Sequence, residues 1–205
     1  PLPPDDWFSI TVVVPLDGTG VYELRANVPG NPPRTFPNLR CRSADFWRCG
    51  WIGIIGSGER DASFYVDNIR FGRVDTSAQV PTPAPINPDA GIQDLVTVAE
   101  EDLVAYWSFD GGEAGLVLDH AGSGLHGVTT ARRALGRVGN ALELDGESAT
   151  SPIIPDSPSL HFGEANFTLQ CWLHPKNLES PKGFRRLLEK PNYPKTWWNV
   201  DLLSD

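Results

Sequence analysis

The sequence has no methionine, three cysteines and four histidines, and its 17 basic residues are outnumbered by 26 acidic ones. The formal net charge of -9 argues against nucleic acid and against anionic membrane surfaces, since both attract basic patches. The longest uncharged apolar run, around residues 51–55, is far too short to cross a bilayer. We therefore expect no nucleic-acid partner and no transmembrane segment.

The chain begins with Pro1 and lacks an initiator methionine. We interpret it as a piece of a longer polypeptide, cut at both ends. Any signal peptide would then lie upstream.

Motifs of catalysis are missing as well. The sequence holds no GxSxG elbow, no Walker loop and no HExxH helix. The acidic run Glu100-Glu101-Asp102 is typical of a solvated edge rather than of a glycosidase carboxylate pair. We expect no catalytic centre in this chain.

The three cysteines fall into a close pair and one that lies far from it in the sequence. Cys41 and Cys49 flank a short segment and could close a loop disulfide, although reduced thiols fit the sequence equally well. Cys171 lies in an apolar alternating pattern, which predicts a buried thiol. No cysteine–histidine set has zinc spacing.

What the sequence does have is glycine and proline, 20 and 19 residues respectively, which punctuate many short alternating segments. Alternation of apolar and polar side chains indicates β-strands. It predicts strands at residues 7–14, 21–28, 50–55, 62–71, 103–109, 141–144, 151–154, 166–174, 184–190 and 197–203. The Pro-rich residues 31–40 are predicted to be a loop. No long helical period is present.

These strands predict an all-β chain of two antiparallel jelly-roll or β-sandwich modules. We place the C-terminal part of one module at residues 1–75 and the N-terminal part of another at 103–205. Residues 76–102, with four prolines among small residues, are predicted to be a Pro-rich linker.

Four stretches of the second module stand in a distinctive order. They are LVAYWSFD (103–110), DHAGSGLHG (119–127), GRVGNALELDG (136–146) and PDSPSLHF (155–162), followed by a strand with a central Trp at 167–175. This ordered set resembles the laminin-G-like jelly rolls of the concanavalin A-like lectin/glucanase superfamily. The resemblance implies a two-sheet jelly roll, often extracellular and appended to bacterial enzymes or surface proteins. His126 departs from the pattern, which more often has Asn or Asp there.

The first module is similar to the tail of another concanavalin-like sandwich. The similarity is carried by FYVDNIR at residues 64–70.

Four aspartates are candidate ligands of a structural calcium ion, which prefers hard oxygen donors. Asp67 lies among apolar strand residues, and the other three lie next to turns of the second module. The four candidates are Asp67, Asp110, Asp119 and Asp145. The alternative is that each accepts hydrogen bonds from nearby backbone N–H groups.

Strand parity suggests a sugar-binding surface on the strand at 166–174. If Phe167, Leu169, Cys171 and Leu173 face the core, then Trp172 points to the opposite side. Gln170 and His174 share that side with Trp172, so an aromatic plane with polar neighbours could bind a glycan. Alternatively, Trp172 is covered by a loop or by the other module.

The sequence therefore predicts a non-catalytic carbohydrate-binding or adhesion segment of a secreted or cell-surface protein, with the bacterial envelope as the expected location. Its expected partner is a glycan or an extracellular protein. Two alternatives stay open. The modules could be accessories of a large secreted glycoside hydrolase or sialidase, or they could form a structural spacer.

Overall fold

The computed structural model of the chain describes residues 5–40, 53–57, 64–73, 102–145, 150–160, 165–176, 184–190 and 198–203. Within these ranges the chain is an all-β, β-sandwich-like protein whose paired strands are antiparallel. A turn of 3-10 helix at Pro158–Leu160 lies between the strands.

The strands run as follows. They are β1 (Phe8–Val14), β2 (Val21–Asn27), β3 (Arg34–Arg40), β4 (Gly53–Ser57), β5 (Phe64–Arg73), β6 (Leu103–Trp107), β7 (Leu116–Val117), β8 (Gly127–Val128), β9 (Arg132–Leu135), β10 (Asn140–Leu144), β11 (Phe167–Pro175), β12 (Phe184–Lys190) and β13 (Trp198–Leu203).

The main sheet has eight strands. Seven of them follow the order β3-β2-β1-β11-β5-β10-β9, and β6 pairs with β5 beside β10. A second sheet has the order β13-β12-β4, and β7 pairs with β8. The all-β class predicted from the sequence is confirmed.

The arrangement as two separate modules is not confirmed, because strands from both sides of residues 76–102 share the main sheet. Strand β11 lies between β1 and β5, with Phe8 opposite Leu173 and Val14 opposite Phe167. Strand β5 in turn pairs with β10 and with β6. The predicted linker itself, like Cys41 and Cys49, lies outside the described residues.

The hydrophobic core covers one face of the main sheet. Alternate side chains of β1, β5, β6, β10 and β11 are buried there, as their period of two requires. Residues from outside the main sheet, among them Val117, Leu125, Ile154 and Leu160, complete the cluster. Trp107 is 1% exposed and its Nε1 donates to the carbonyl of Leu125 at 2.8 Å, so its ring packs within this core.

The predicted face of β11 is also confirmed. Phe167, Leu169, Cys171 and Leu173 all belong to the core. Cys171 is a buried free thiol, and burial raises its pKa above the ordinary range.

Two local predictions are wrong. Residues 34–40, predicted to be a loop, form β3, which is an edge strand. An edge tolerates Pro37, which has no N–H to donate, and Asn38 takes a φ of 57° beside an irregularity in the β2–β3 register. Residues 151–154, predicted to be a strand, contribute only an isolated bridge between Ile153 and Val128.

Strand β5 changes its neighbour halfway along. Residues Phe64–Val66 pair with β10, whereas Ile69–Gly72 pair with β6. At the change Asn68 has a φ of 51°, and the pairing with β11 shifts register between Gln170 and Trp172. This bulge places Asp67 beside the turn that leads into β10.

Candidate ligand-binding face

The face of the main sheet opposite the core is polar and carries the predicted glycan residues. We call it the polar face. Gln170, Trp172 and His174 of β11 lie on it, as their parity predicts. Ser9 and Thr11 of β1 lie beside them and are also buried, at 3% and 5% exposure.

Trp172 is packed and does not offer an open ring. Its side chain is 5% exposed, and it lies opposite Ser9 on one side and Asp67 on the other. The guanidinium of Arg137 stands 5.3 Å from the ring centre, a cation–π distance. The expectation of an open indole platform at Trp172 is therefore corrected. The position fits the alternative interpretation of a covered Trp.

Gln170 is also buried, at 1% exposure. Its Nε2 donates to the hydroxyl of Thr11 at 3.3 Å, while Oε1 has no hydrogen-bond partner. The Nε1 of Trp172 is likewise buried without a partner.

His174 differs from these two because it is half-buried and lies in an aromatic cluster. We give that name to Trp7, Tyr65 and His174. The ring centre of His174 lies 5.2 Å from that of Trp7 and 5.4 Å from that of Tyr65. The ring centres of Trp7 and Tyr65 are 6.4 Å apart. The rings are tilted to one another by 38° to 50°. Backbone register explains the contact, since His174 lies directly opposite Tyr65.

Charged groups surround the aromatic cluster. His174 Nε2 lies 3.1 Å from Oδ1 of Asp5, and the ammonium of Lys176 stands 5.0 Å from the centre of the Tyr65 ring. The hydroxyl of Tyr65 donates to Oε1 of Glu143 at 3.3 Å. The cluster thus combines partly exposed aromatic rings with hydrogen-bonding groups at its margin.

Asp67, the first calcium candidate, is fully buried and surrounded by donors. Its Oδ2 accepts from the backbone N–H of Val138 at 2.9 Å, and its Oδ1 accepts from Nδ2 of Asn68 at 2.8 Å. Burial raises the pKa of this carboxyl to about 6, and the nearby charge of Asp110 adds to the rise. Asp67 therefore anchors the turn before β10 by accepting its backbone N–H groups.

Asp110 holds the other end of that turn, because its Oδ1 accepts from the backbone N–H of Asn140 at 2.6 Å. Gly139 has a φ of 67°, and a Cβ there would overlap the Asp110 carboxylate. A Cβ on Gly136 would lie 2.8 Å from Oδ2 of Asp67. The two glycines of the sequence GRVGN let the turn approach both carboxylates.

The other two calcium candidates also accept hydrogen bonds. Asp119 accepts from the backbone N–H groups of Tyr106, Ala121 and Leu125 at 2.9 to 3.1 Å. Asp145 accepts from the hydroxyl of Thr150 at 2.7 Å. Across the described ranges, no group of three or more His, Cys, Asp or Glu side chains converges as a metal site. For Asp67, Asp110 and Asp119 the partners support backbone anchoring, the alternative that the sequence left open, and calcium stays a prediction.

Several residues of the polar face were not predicted from the sequence. Trp7 and Tyr65 belong to the aromatic cluster, and Arg25 and Arg70 lie on the same face as Gln170. Parity within each strand was readable from the sequence. The register between strands far apart in the chain was not, so these side chains could not be brought together.

None of the described segments forms a helix long and apolar enough to span a membrane. Comparison of the chain with protein-family models, with curated proteins and with solved structures gave no match.

Proposed function

We propose that this chain is a non-catalytic carbohydrate-binding segment, and that it binds glycans at the aromatic cluster on the polar face. The observation that carries the proposal is the contact of Trp7, Tyr65 and His174 within 6.4 Å of one another. The partly exposed rings offer apolar area to the C–H groups of a sugar ring.

The margin of the cluster supports the same function. Sugar hydroxyls need donors and acceptors, and Asp5, Glu143 and Lys176 supply both beside the rings. Asp5 has a side-chain exposure of 72%, so the margin of the cluster meets solvent. Shallow sites bury little of their ligand, so the expected affinity is weak.

The proposal keeps His174 from the sequence prediction and replaces Trp172 by Trp7 and Tyr65 as the ring donors. A laminin-G-like jelly roll on a secreted or cell-surface protein is part of the proposal. Its support is the ordered set of motifs in residues 103–175 together with the antiparallel all-β fold.

The test is binding of the chain to a broad panel of oligosaccharides, measured for the native sequence and for Trp7→Ala. We expect Trp7→Ala to abolish binding because the ring contacts both other members of the cluster. Phe36→Ala is the matched control, since Phe36 is an aromatic residue of β3 that is 42% exposed and outside the cluster. Equal binding by Trp7→Ala and the native chain would exclude the aromatic cluster as the site. Absence of binding to the whole panel would overturn the proposal and favour a spacer.

A further inference from the structure

A row of polar side chains crosses four adjacent strands on the polar face. Arg25 of β2 lies opposite Thr11 of β1, Thr11 lies opposite Gln170 of β11, and Gln170 lies opposite Arg70 of β5. We call these four residues the polar row. Directly opposite residues of antiparallel strands share a face, so the four side chains are neighbours.

The polar row concentrates unsatisfied hydrogen-bonding capacity. Five buried side-chain nitrogen or oxygen atoms among the described residues have no partner. Three belong to the row, namely Arg25 Nη1, Gln170 Oε1 and Arg70 Nε. A fourth, Trp172 Nε1, belongs to the next residue of β11 that faces the same side as Gln170. Buried polar groups are nearly always paired, so their accumulation in one place points to a bound polar partner.

The charge of the row favours an anion. Arg25 uses its Nε to pair with Glu23, which leaves Nη1 free to donate. Arg70 lies over the ring of Tyr106 at 4.6 Å, and it forms no ion pair with a described residue. Arg137 adds a further positive charge beside Trp172. Glu23 offsets the charge of Arg25, and the Asp67 carboxylate lies opposite Trp172, so Arg70 is the positive charge of the row that is not paired with a carboxylate of the described residues.

The unpaired atoms also match the chemistry of one ligand class. Arg25, Arg70 and Trp172 offer N–H donors, and charged donors favour a carboxylate over a neutral oxygen. Gln170 offers one acceptor, which suits a hydroxyl. Arg25 and Arg70 are partly exposed, whereas Thr11 and Gln170 between them are buried, so the row meets solvent at its two ends.

We propose that the polar row binds the carboxylate of an acidic sugar residue, such as a uronic acid. This inference rests on the proposed function, because it names the kind of glycan that the chain binds. Arg70 and Trp172 donate to the carboxylate, and Gln170 accepts from a hydroxyl of the same sugar.

The test compares short oligogalacturonides with the same oligomers carrying methyl-esterified carboxyl groups, by titration calorimetry on the full chain. We expect the acidic form to bind about tenfold or more tightly than its ester, since hydrogen bonds to charged groups are the stronger ones. Arg70→Gln should abolish that preference. Arg34→Gln is the matched control, because Arg34 is an exposed arginine of β3 opposite Ala26, a core-side position.

A second variant separates a binding role from a structural one. Gln170→Glu places a carboxylate inside the row beside Arg70, where it imitates the ligand. We expect it to raise the thermal midpoint and to abolish binding of the acidic oligomer. A lower midpoint with binding retained would overturn the inference.

The remaining outcomes distinguish this inference from the proposed function. Equal binding of acid and ester overturns the carboxylate site and leaves glycan binding standing. If neither form binds and no other glycan binds, both the carboxylate site and the proposed function are overturned. Equally tight binding of a sulfated neutral oligosaccharide overturns the carboxylate assignment, because any anion would then suffice.

Discussion

Replacing Asp67 by asparagine should change how the stability of the protein depends on pH. Asp67 is fully buried, and burial raises its pKa from an ordinary value of 3.8 to about 6. In the unfolded chain the carboxyl ionises near its ordinary value. Between these two pKa values the folded state therefore holds more protons than the unfolded state.

The sign follows from this difference in bound protons. Stability falls as the pH rises from about 4 to about 6, since the unfolded carboxyl gains its charge first. Below about pH 4 the buried carboxyl does not lower the unfolding free energy, and above about pH 6 it lowers it by the full amount. The gap between the two pKa values corresponds to roughly 3 kcal/mol of unfolding free energy. Asparagine cannot ionise, so Asp67→Asn removes this contribution.

The assay is urea unfolding of the native chain and of Asp67→Asn at several pH values between 4 and 7. The unfolding free energy of the native chain, minus that of the variant, should fall by roughly 2 to 3 kcal/mol across this range. Asp17→Asn is the flat control, because hydrogen bonds from Thr19 lower the pKa of the exposed Asp17 carboxyl, which places its pH window below about 4 and leaves the native-minus-variant difference nearly constant across this range. A native-minus-Asp67→Asn difference that stays constant or increases with pH would refute the reasoning.

Three further predictions concern the same face and its turn. Gly139→Ala should lower the unfolding free energy by at least about 1 kcal/mol, because its positive φ and the Asp110 carboxylate both exclude a side chain. Gly122 also has a positive φ, but no atom lies near the position of an added Cβ. The difference in unfolding free energy between Gly139→Ala and Gly122→Ala, measured in urea, therefore reports the clash with Asp110. Equal losses in the two variants would contradict that clash. Trp172→Ala should lower the unfolding free energy by roughly 3 to 5 kcal/mol, as expected for a packed ring, whereas an unchanged value would show an unpacked one. If calcium binds the candidate aspartates, the thermal midpoint should be higher with calcium than with chelator, and an unchanged midpoint would leave backbone anchoring as their role.

Strand parity was the part of the fold that the sequence predicted best. The alternation of β11 placed Phe167, Leu169, Cys171 and Leu173 on one face, and all four are in the core. Alternation is a local property of a strand with one buried face, so it is readable without knowledge of the neighbours.

Register was the part that the sequence could not supply. Ser9 and Trp172 are paired across more than 160 positions of the chain, and nothing local encodes that pairing. The separation into modules at residues 76–102 rested on composition alone, whereas the main sheet joins strands from both sides. The cover over Trp172, which includes Arg137, depends on the same long-range pairing.

The carboxylates show a related limit. A sequence pattern indicates that Asp67 lies in a strand and that Asp110 lies next to a turn, but it does not identify their donors. The structure shows that both accept N–H groups of one turn, which itself contains Gly136 and Gly139. The glycines themselves could be read in the sequence, but the carboxylates that require a residue without a side chain there could not.

The most direct test of the central claim is NMR titration of the full chain with a glycan selected from the panel, following the side-chain signals of tryptophan and histidine. Binding at the aromatic cluster predicts that the Trp7 indole and the His174 ring signals shift together, with one dissociation constant. The Trp107 indole, which is buried in the core and bonded to Leu125, should not move. If the glycan saturates the protein while the Trp7 and His174 signals do not shift, the account is contradicted.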